Sequence, residues 1–209
     1  MTGTTRTGLR ARWAAWSAAS VVALGVVWLL VGWIVFQHPR TEQPARSDAL
    51  LVLGPPDRTR MAEALRLMDA GLAPVLVVAT PGTGDLGDDP GEAHYTRAEQ
   101  TCAADPGYEV ICFRPDPSTT QGEAVRLREL GEQRGWEHVS VLTYRQHVAR
   151  SRLLLTRCYA GELDVLAFDY PSVPRGLLRE FAYQSGGFVK AWLTPGCDQQ
   201  LPWRPKSLD

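Results

Sequence analysis

The residues from Ala14 to Phe36, AAWSAASVVALGVVWLLVGWIVF, carry no charge and no proline. A helix needs about 20 such residues to cross a bilayer core. Trp13, Trp16 and Trp33 fall near the two ends, where interfacial indoles are favoured. Arg6, Arg10 and Arg12 precede the run with no acid among them, and Arg40 and Arg46 follow it with Glu42 between. The positive-inside rule then predicts a cytoplasmic N-terminus over 1–13, a transmembrane signal anchor over 14–36, a linker over 37–47 and an extracytoplasmic domain over 48–209. A cleaved signal peptide is the competing reading. Its apolar region runs about 7–15 residues and ends at a small-x-small site. Here the run is longer, and the QHPRTEQ that follows offers no such site. The expectation is an uncleaved anchor in the cell membrane.

The four cysteines, Cys102, Cys112, Cys158 and Cys197, all lie on the exported side of that anchor. An even count in an oxidising compartment points to two disulfides. Four cysteines allow 3 connectivities, and sequence does not choose among them. The expected pairing is Cys102 with Cys112, closing a short loop, and Cys158 with Cys197, tying the C-terminal segment to a helix; four buried free thiols are the alternative. With no CxxC and no clustered histidine pair, no metal site is expected. A formal net charge of -1 lacks the basic excess of a nucleic-acid binder, so no nucleic-acid partner is expected.

Beyond the linker, apolar runs of strand length alternate with segments of helical spacing. The runs are Ala49–Gly54, Val75–Thr80, Glu109–Phe113, Val139–Thr143 and Leu163–Phe168. Helices are predicted over Arg58–Gly71, where Met61, Ala64, Leu65 and Met68 recur on one face, and over Glu92–Cys102, Gly122–Arg134, the stretch after Thr143, and Arg175–Leu193. Strands that are apolar throughout belong to a parallel sheet covered on both faces. The predicted fold class is α/β: a Rossmann-like, mostly parallel five-stranded sheet with helices on both faces, preceded by one N-terminal transmembrane helix.

In open α/β sheets ligands sit beyond the carboxyl ends of the strands. The loops there read GPPDRTR, TPGTGDLGDDPGEAH, RPDPSTTQGE and YRQH. In the last, His147 and Arg150 are three residues apart and share a helical face near a helix N-terminus. Free N–H groups and the helix dipole favour an anion there; an arginine clamps two of its oxygens, and a histidine relays a proton near neutral pH. The plainer reading is that His147 caps the strand end and Arg150 pairs with an acid on a neighbouring loop. In Ser118–Glu123, Thr119 or Thr120 as N-cap with Glu123 in the first turn makes a capping box, which needs no function. Gly82–Asp89 is acidic and lacks the closing glutamate of a calcium loop, so it reads as a mobile lid or loop. His94 and His138 have no motif around them.

The order of these segments resembles the YdcF/SanA/ElyC family of bacterial envelope-associated proteins. Asp48-Ala49-Leu50-Leu51-Val52-Leu53-Gly54 is similar to its opening strand, Arg60 to its first-helix arginine, and Ala64 to Pro74 to its A-x-x-L-x-x-x-G-x-A-P. Thr120-Gln121-Gly122-Glu123-Ala124 resembles its T-x-x-N-A motif. Leu142 to Ser151, with Thr143, His147 and Arg150, resembles its V-T-S-x-x-H-x-x-R-A. The resemblance covers about Asp48 to Phe168. Two positions depart from it: Thr80-Pro81-Gly82 stands where the family commonly has Ser-Gly-Gly, and Glu123 where it often has asparagine.

The resemblance implies a single-pass membrane protein acting near peptidoglycan or envelope glycan synthesis. It implies ligand-binding roles for Gly54, Arg60, Thr120, Thr143 and Arg150, with His147 and Glu123 as acid and base if there is catalysis. The ligand expected is an anionic small molecule or lipid-linked envelope precursor. One soluble relative is associated with S-adenosylmethionine, which an exported domain has no obvious supply of, so the cofactor is unknown. The alternative is a non-catalytic envelope scaffold or sensor that recruits protein partners, whose identity is unknown. The absence of G-x-S-x-G argues against a serine esterase.

Overall fold

A computed structural model describes residues 5–80, 92–173 and 175–197, with side chains in 5–11 and 92–96 outside that description. The Gly82–Asp89 loop and the His94 side chain therefore lie outside the described residues. The helices are α1 (Thr5–Gly32), α2 (Arg58–Asp69), α3 (Glu92–Ala103), α4 (Thr120–Arg134), α5 (Val148–Cys158) and α6 (Leu177–Leu193). The strands are β1 (Ala49–Val52), β2 (Val75–Ala79), β3 (Glu109–Phe113), β4 (His138–Tyr144) and β5 (Glu162–Phe168). The strands form one sheet in the order β3-β2-β1-β4-β5, every pair parallel. The expectation was "mostly parallel"; among the described residues no antiparallel strand joins the sheet.

Successive side chains of β1 point to opposite faces, and each face is covered. Leu51 and Leu53 pack with Val77 and Val141 beneath Ala124 and Leu127 of α4 and Leu155 of α5. Leu50 and Val52 pack with Leu76 and Val78 against Met61 and Ala64 of α2 and Ala98 of α3. Burial on both sides explains why β1 and β2 show no polar alternation.

Local chemistry sets the ends of the elements. The Asp57 side chain caps α2 by accepting from the Arg60 N–H at 2.9 Å. At the other end Gly71 takes φ +78, so its N–H reaches the Met68 carbonyl and that of Leu72 reaches Leu67. Thr119 caps α4, accepting from the Gly122 N–H at 3.3 Å. Glu123 sits one residue too far along to close a capping box and is directed elsewhere. The stretch after β4 begins as a short 3-10 turn, Arg145–His147, before α5 takes over. The last helix begins at Leu177, two residues later than predicted, after Gly176 at φ +76.

Two cysteine pairs lie at disulfide distance, Cys102–Cys112 and Cys158–Cys197, with Cα–Cα separations of 5.9 and 5.0 Å. This is the pairing expected from the sequence. The second pair ties the end of α5 to the segment after α6, where Arg157 donates to the Ala191 and Thr194 carbonyls at 2.6 and 3.1 Å.

Arg12–Gln37 is an apolar helix long enough to cross a membrane, and only 11% of its most apolar stretch is buried in the protein. It meets the rest of the chain at α6 and at the turn before α5, where Gln146 donates to Gln37 at 3.1 Å. Trp28 donates to Ser185 Oγ at 3.1 Å, and the Phe36 ring lies 5.4 Å from that of Phe181.

Candidate functional site

The strand order reverses at β1, whose neighbours are β2 on one side and β4 on the other. A cleft opens beside the carboxyl ends of these strands, with a cavity of 1320 Å³. Gly54, Arg60, Thr120, Glu123, His147 and Arg150 all line it. The remaining sequence candidate, Thr143, is fully buried and touches the imidazole of His147 rather than the cleft.

Glu123 is only 3% exposed. The first turn of α4 carries its carboxylate across to β1, where Oε1 accepts from the Gly54 N–H at 2.5 Å. Gly54 must lack a side chain here, because a Cβ would fall 2.6 Å from the Ala79 carbonyl oxygen. Burial raises the Glu123 pKa to about 7, against the opposing pull of the Gly54 N–H, Arg60, Arg150 and Thr120.

His147 is 5% exposed and stands at the junction of the 3-10 turn and α5. Thr143 Oγ1 and Ser151 Oγ lie 3.0 and 3.1 Å from Nδ1, fixing the ring. Nε2 faces Thr120 Oγ1 at 3.4 Å, and Thr120 also bonds the Glu123 carboxylate. One hydroxyl thus joins the carboxyl group and the imidazole. Burial, then the charges of Arg150, Arg60 and Arg175, hold the His147 pKa well below its usual value, so the ring is neutral at pH 7.

Arg60 is equally buried and held from several sides. It donates to the Leu53 carbonyl and, at 3.2 Å, to the Tyr170 hydroxyl, which donates in turn to Asp57. Its guanidinium lies 5.6 Å from the centre of the Tyr144 ring. Its Nε is buried with no hydrogen-bond partner among the described residues. Among the described residues no carboxylate forms an ion pair with Arg150, contrary to the plainer reading of the sequence, although its charge is felt at Glu123. Its Nε donates to Gln184 Oε1 at 3.0 Å, and the guanidinium lies over Tyr183 at 5.4 Å. Gly187 permits that position, since a Cβ there would come within 2.7 Å of Arg150 Cδ and Nη1.

Beneath the cleft lies a polar network that the motifs did not reveal. Glu180 is fully buried and accepts from Tyr144, Gln184 and Arg175, at 3.1, 2.7 and 3.2 Å. The Tyr144 ring stacks on His147 with centroids 5.4 Å apart. Glu180 and Gln184, four residues apart within a helix rich in large apolar groups, were the legible signal; Asp57 was legible as a cap. Tyr170 and Arg175 carried none. His138, also without a motif, pairs with Asp164 at 2.9 Å at the amino ends of β4 and β5, away from the cleft.

Among the described residues, the cations on the cleft wall are Arg60, Arg150, Arg175 and Lys190, against the carboxylates of Asp57 and Glu123. Glu123 is half protonated near neutrality, so the wall carries an excess of positive charge. Such a surface holds a phosphate or carboxylate and presents it with a partly protonated acid and a neutral imidazole. No group of three or more metal-ligating side chains occurs among the described residues. No protein-family model, curated protein or solved structure matches the chain.

Proposed function

We propose that the protein is a single-pass membrane protein whose extracytoplasmic, Rossmann-like domain binds an anionic cell-envelope intermediate, a lipid-linked phosphate or glycan precursor. The observation that carries this reading is the convergence of Arg60, Arg150, His147, Thr120 and Glu123 on one cleft at the strand carboxyl ends. A scaffold that only recruits partners has no need of that convergence. The buried, unpartnered Nε of Arg60 adds to it, because a buried guanidinium N–H costs free energy until an acceptor reaches it. Membership of the YdcF/SanA/ElyC family belongs to the same proposal, resting on the order of the motifs around these residues. The anchor, with its arginine-bearing N-terminus inside, and the two disulfides support an oxidising compartment for the domain.

The site is also equipped for hydrolysis or transfer at a phosphate ester. Arg60 and Arg150 would hold the non-bridging oxygens, and Glu123, with a pKa of about 7, would supply the proton to a departing oxygen. His147, neutral and oriented by Thr143 and Ser151, would take a proton from the attacking hydroxyl or water.

The test is thermal unfolding of the full-length chain in detergent with phosphate, pyrophosphate, nucleotide-sugars and short polyprenyl phosphates. The full chain is needed because Phe36 packs on Phe181. A ligand at about 100 times its Kd stabilises by roughly 2.7 kcal/mol. The expected result is a shift with one phosphate ligand that disappears in His147→Ala and Arg150→Ala. No shift with any ligand, from variants that fold normally, removes the binding reading. If a ligand binds, phosphate release decides whether it is turned over, and Glu123→Gln should lower that rate about 10²–10⁴-fold.

A further inference from the structure

We infer that α6 lies in the outer interface of the bilayer, its exposed apolar face buried in lipid beside α1, so that the cleft it walls opens at headgroup level. Leu178, Val189, Trp192 and Leu193 are 60%, 52%, 68% and 70% exposed. The last three follow Leu178 by 11, 14 and 15 residues, near three and four helical turns, so the four share one face. The other residues on that arc are Ala182 and Ser185, the latter on the side that meets α1, and the charged residues of the helix, Arg179, Glu180 and Lys190, lie off it. A contiguous apolar face of this kind left open to water marks an interaction surface.

The neighbouring face of the same helix says what covers it. Phe181 and Ser185 rest on α1 at Gly32 and Trp28, where a Cβ on Gly32 would come within 2.6 Å of the Phe181 ring. Phe188 continues the contact, 6.0 Å from Phe36. A hydrocarbon core of about 30 Å takes about 20 helical residues. Centred on Arg12–Gln37, it ends near Ile34, which puts Trp28 about 9 Å inside. A helix touching the Arg12–Gln37 span between Trp28 and Phe36 crosses it at the depth where interfacial amphipathic helices lie, about 5–10 Å into the boundary. The inference rests on the reading of Arg12–Gln37 as a membrane span.

The opposite side of α6 supplies Tyr183, Gly187, Lys190 and Ala191 to the cleft. One helix would therefore touch lipid on one side and ligand on the other, bringing Lys190 and Arg150 level with membrane phosphates. An anionic group carried on a lipid tail would reach them without leaving the bilayer.

The experiment is site-directed spin labelling of the full-length chain in phospholipid vesicles, without reductant so that the native disulfides stay closed. Labels go on Leu178→Cys and Val189→Cys, with Val22→Cys in the span and Glu129→Cys, half-exposed on α4, as references. Collision with oxygen is compared with collision with a water-soluble nickel chelate. The expected result is that both α6 sites favour oxygen, as Val22 does, whereas Glu129 favours the chelate. Either α6 site matching Glu129 while Val22 reports lipid overturns the inference and leaves the span intact. A water-exposed Val22 removes the span and the inference together.

Discussion

Glu123 and His147 are both buried, and burial acts on their proton equilibria in opposite senses. An acid raised from its usual value to about 7 stays protonated in the folded state while the unfolded chain ionises. Stability therefore falls as pH rises from about 4.5 to 7, by about 3 kcal/mol for that group. A histidine held below its usual value stays neutral while the unfolded chain protonates, so its contribution is lost as pH falls below about 6.5. In the window just below about pH 6.5 the two slopes oppose each other. In Glu123→Gln, stability measured by chemical unfolding should climb more steeply with pH across that window than in the parent; in His147→Gln it should fall. Parallel profiles in all three proteins would mean that neither group is perturbed. Gly187 belongs to the same scale. Gly187→Ala should push the Arg150 guanidinium aside and weaken phosphate binding, seen as a smaller thermal shift at unchanged ligand concentration.

At the scale of elements, α4 and the turn into α5 do the positioning. The Thr119 cap fixes where α4 starts, and that start decides that Glu123 reaches β1 and Thr120 reaches His147. Thr119→Ala should cost about 1 kcal/mol in global stability, with a range of about 0.5–2, measured by denaturant unfolding. It should also reduce any anion-induced stabilisation, because two site residues sit in the turn that frays. A loss of stability with ligand response intact would show that the network holds α4 without its cap. Helix α6 serves three neighbours at once: α5 and the Glu180 network on one side, the cleft on another, α1 on a third. That load explains its mixed composition, apolar along one face and Glu180-Gln184 along another.

For the whole molecule, the two disulfides close loops of very different length, with sequence separations of 10 and 39. If a crosslink acts mainly on the entropy of the unfolded chain, the longer loop contributes about 1 kcal/mol more. Replacing Cys158 and Cys197 together by serine should lower the unfolding midpoint further than replacing Cys102 and Cys112. The reverse order would mean that local packing around the α3–β3 bridge outweighs loop entropy. The longer bridge also sits beside the site: Gln121, next to Thr120, donates to the carbonyls of Gly196 and Cys197 at 3.1 Å each. Opening it should therefore loosen the start of α4 as well as the C-terminal segment.

The apolar runs, their uniform rather than alternating character and the helical spacing between them determined the parallel α/β fold, because burial on both faces of a sheet leaves only one pattern. The uncharged run from Ala14 to Phe36 determined a candidate membrane span by the same reasoning, since length and apolarity suffice for it. His147, Arg150, Thr120 and Glu123 were legible as candidates because they follow strands, where a sheet of this kind concentrates its polar loops. What they do to one another was not. Only the tertiary structure put the Glu123 carboxylate on the Gly54 N–H, set Thr120 between it and His147, and turned Thr143 inward as a support. It alone brought Glu180, Gln184 and Tyr144 beneath the cleft and laid α6 against α1. Local sequence encodes period, caps and burial; the direction of a side chain across 69 residues of chain, as from Glu123 to Gly54, depends on how the sheet orders its strands.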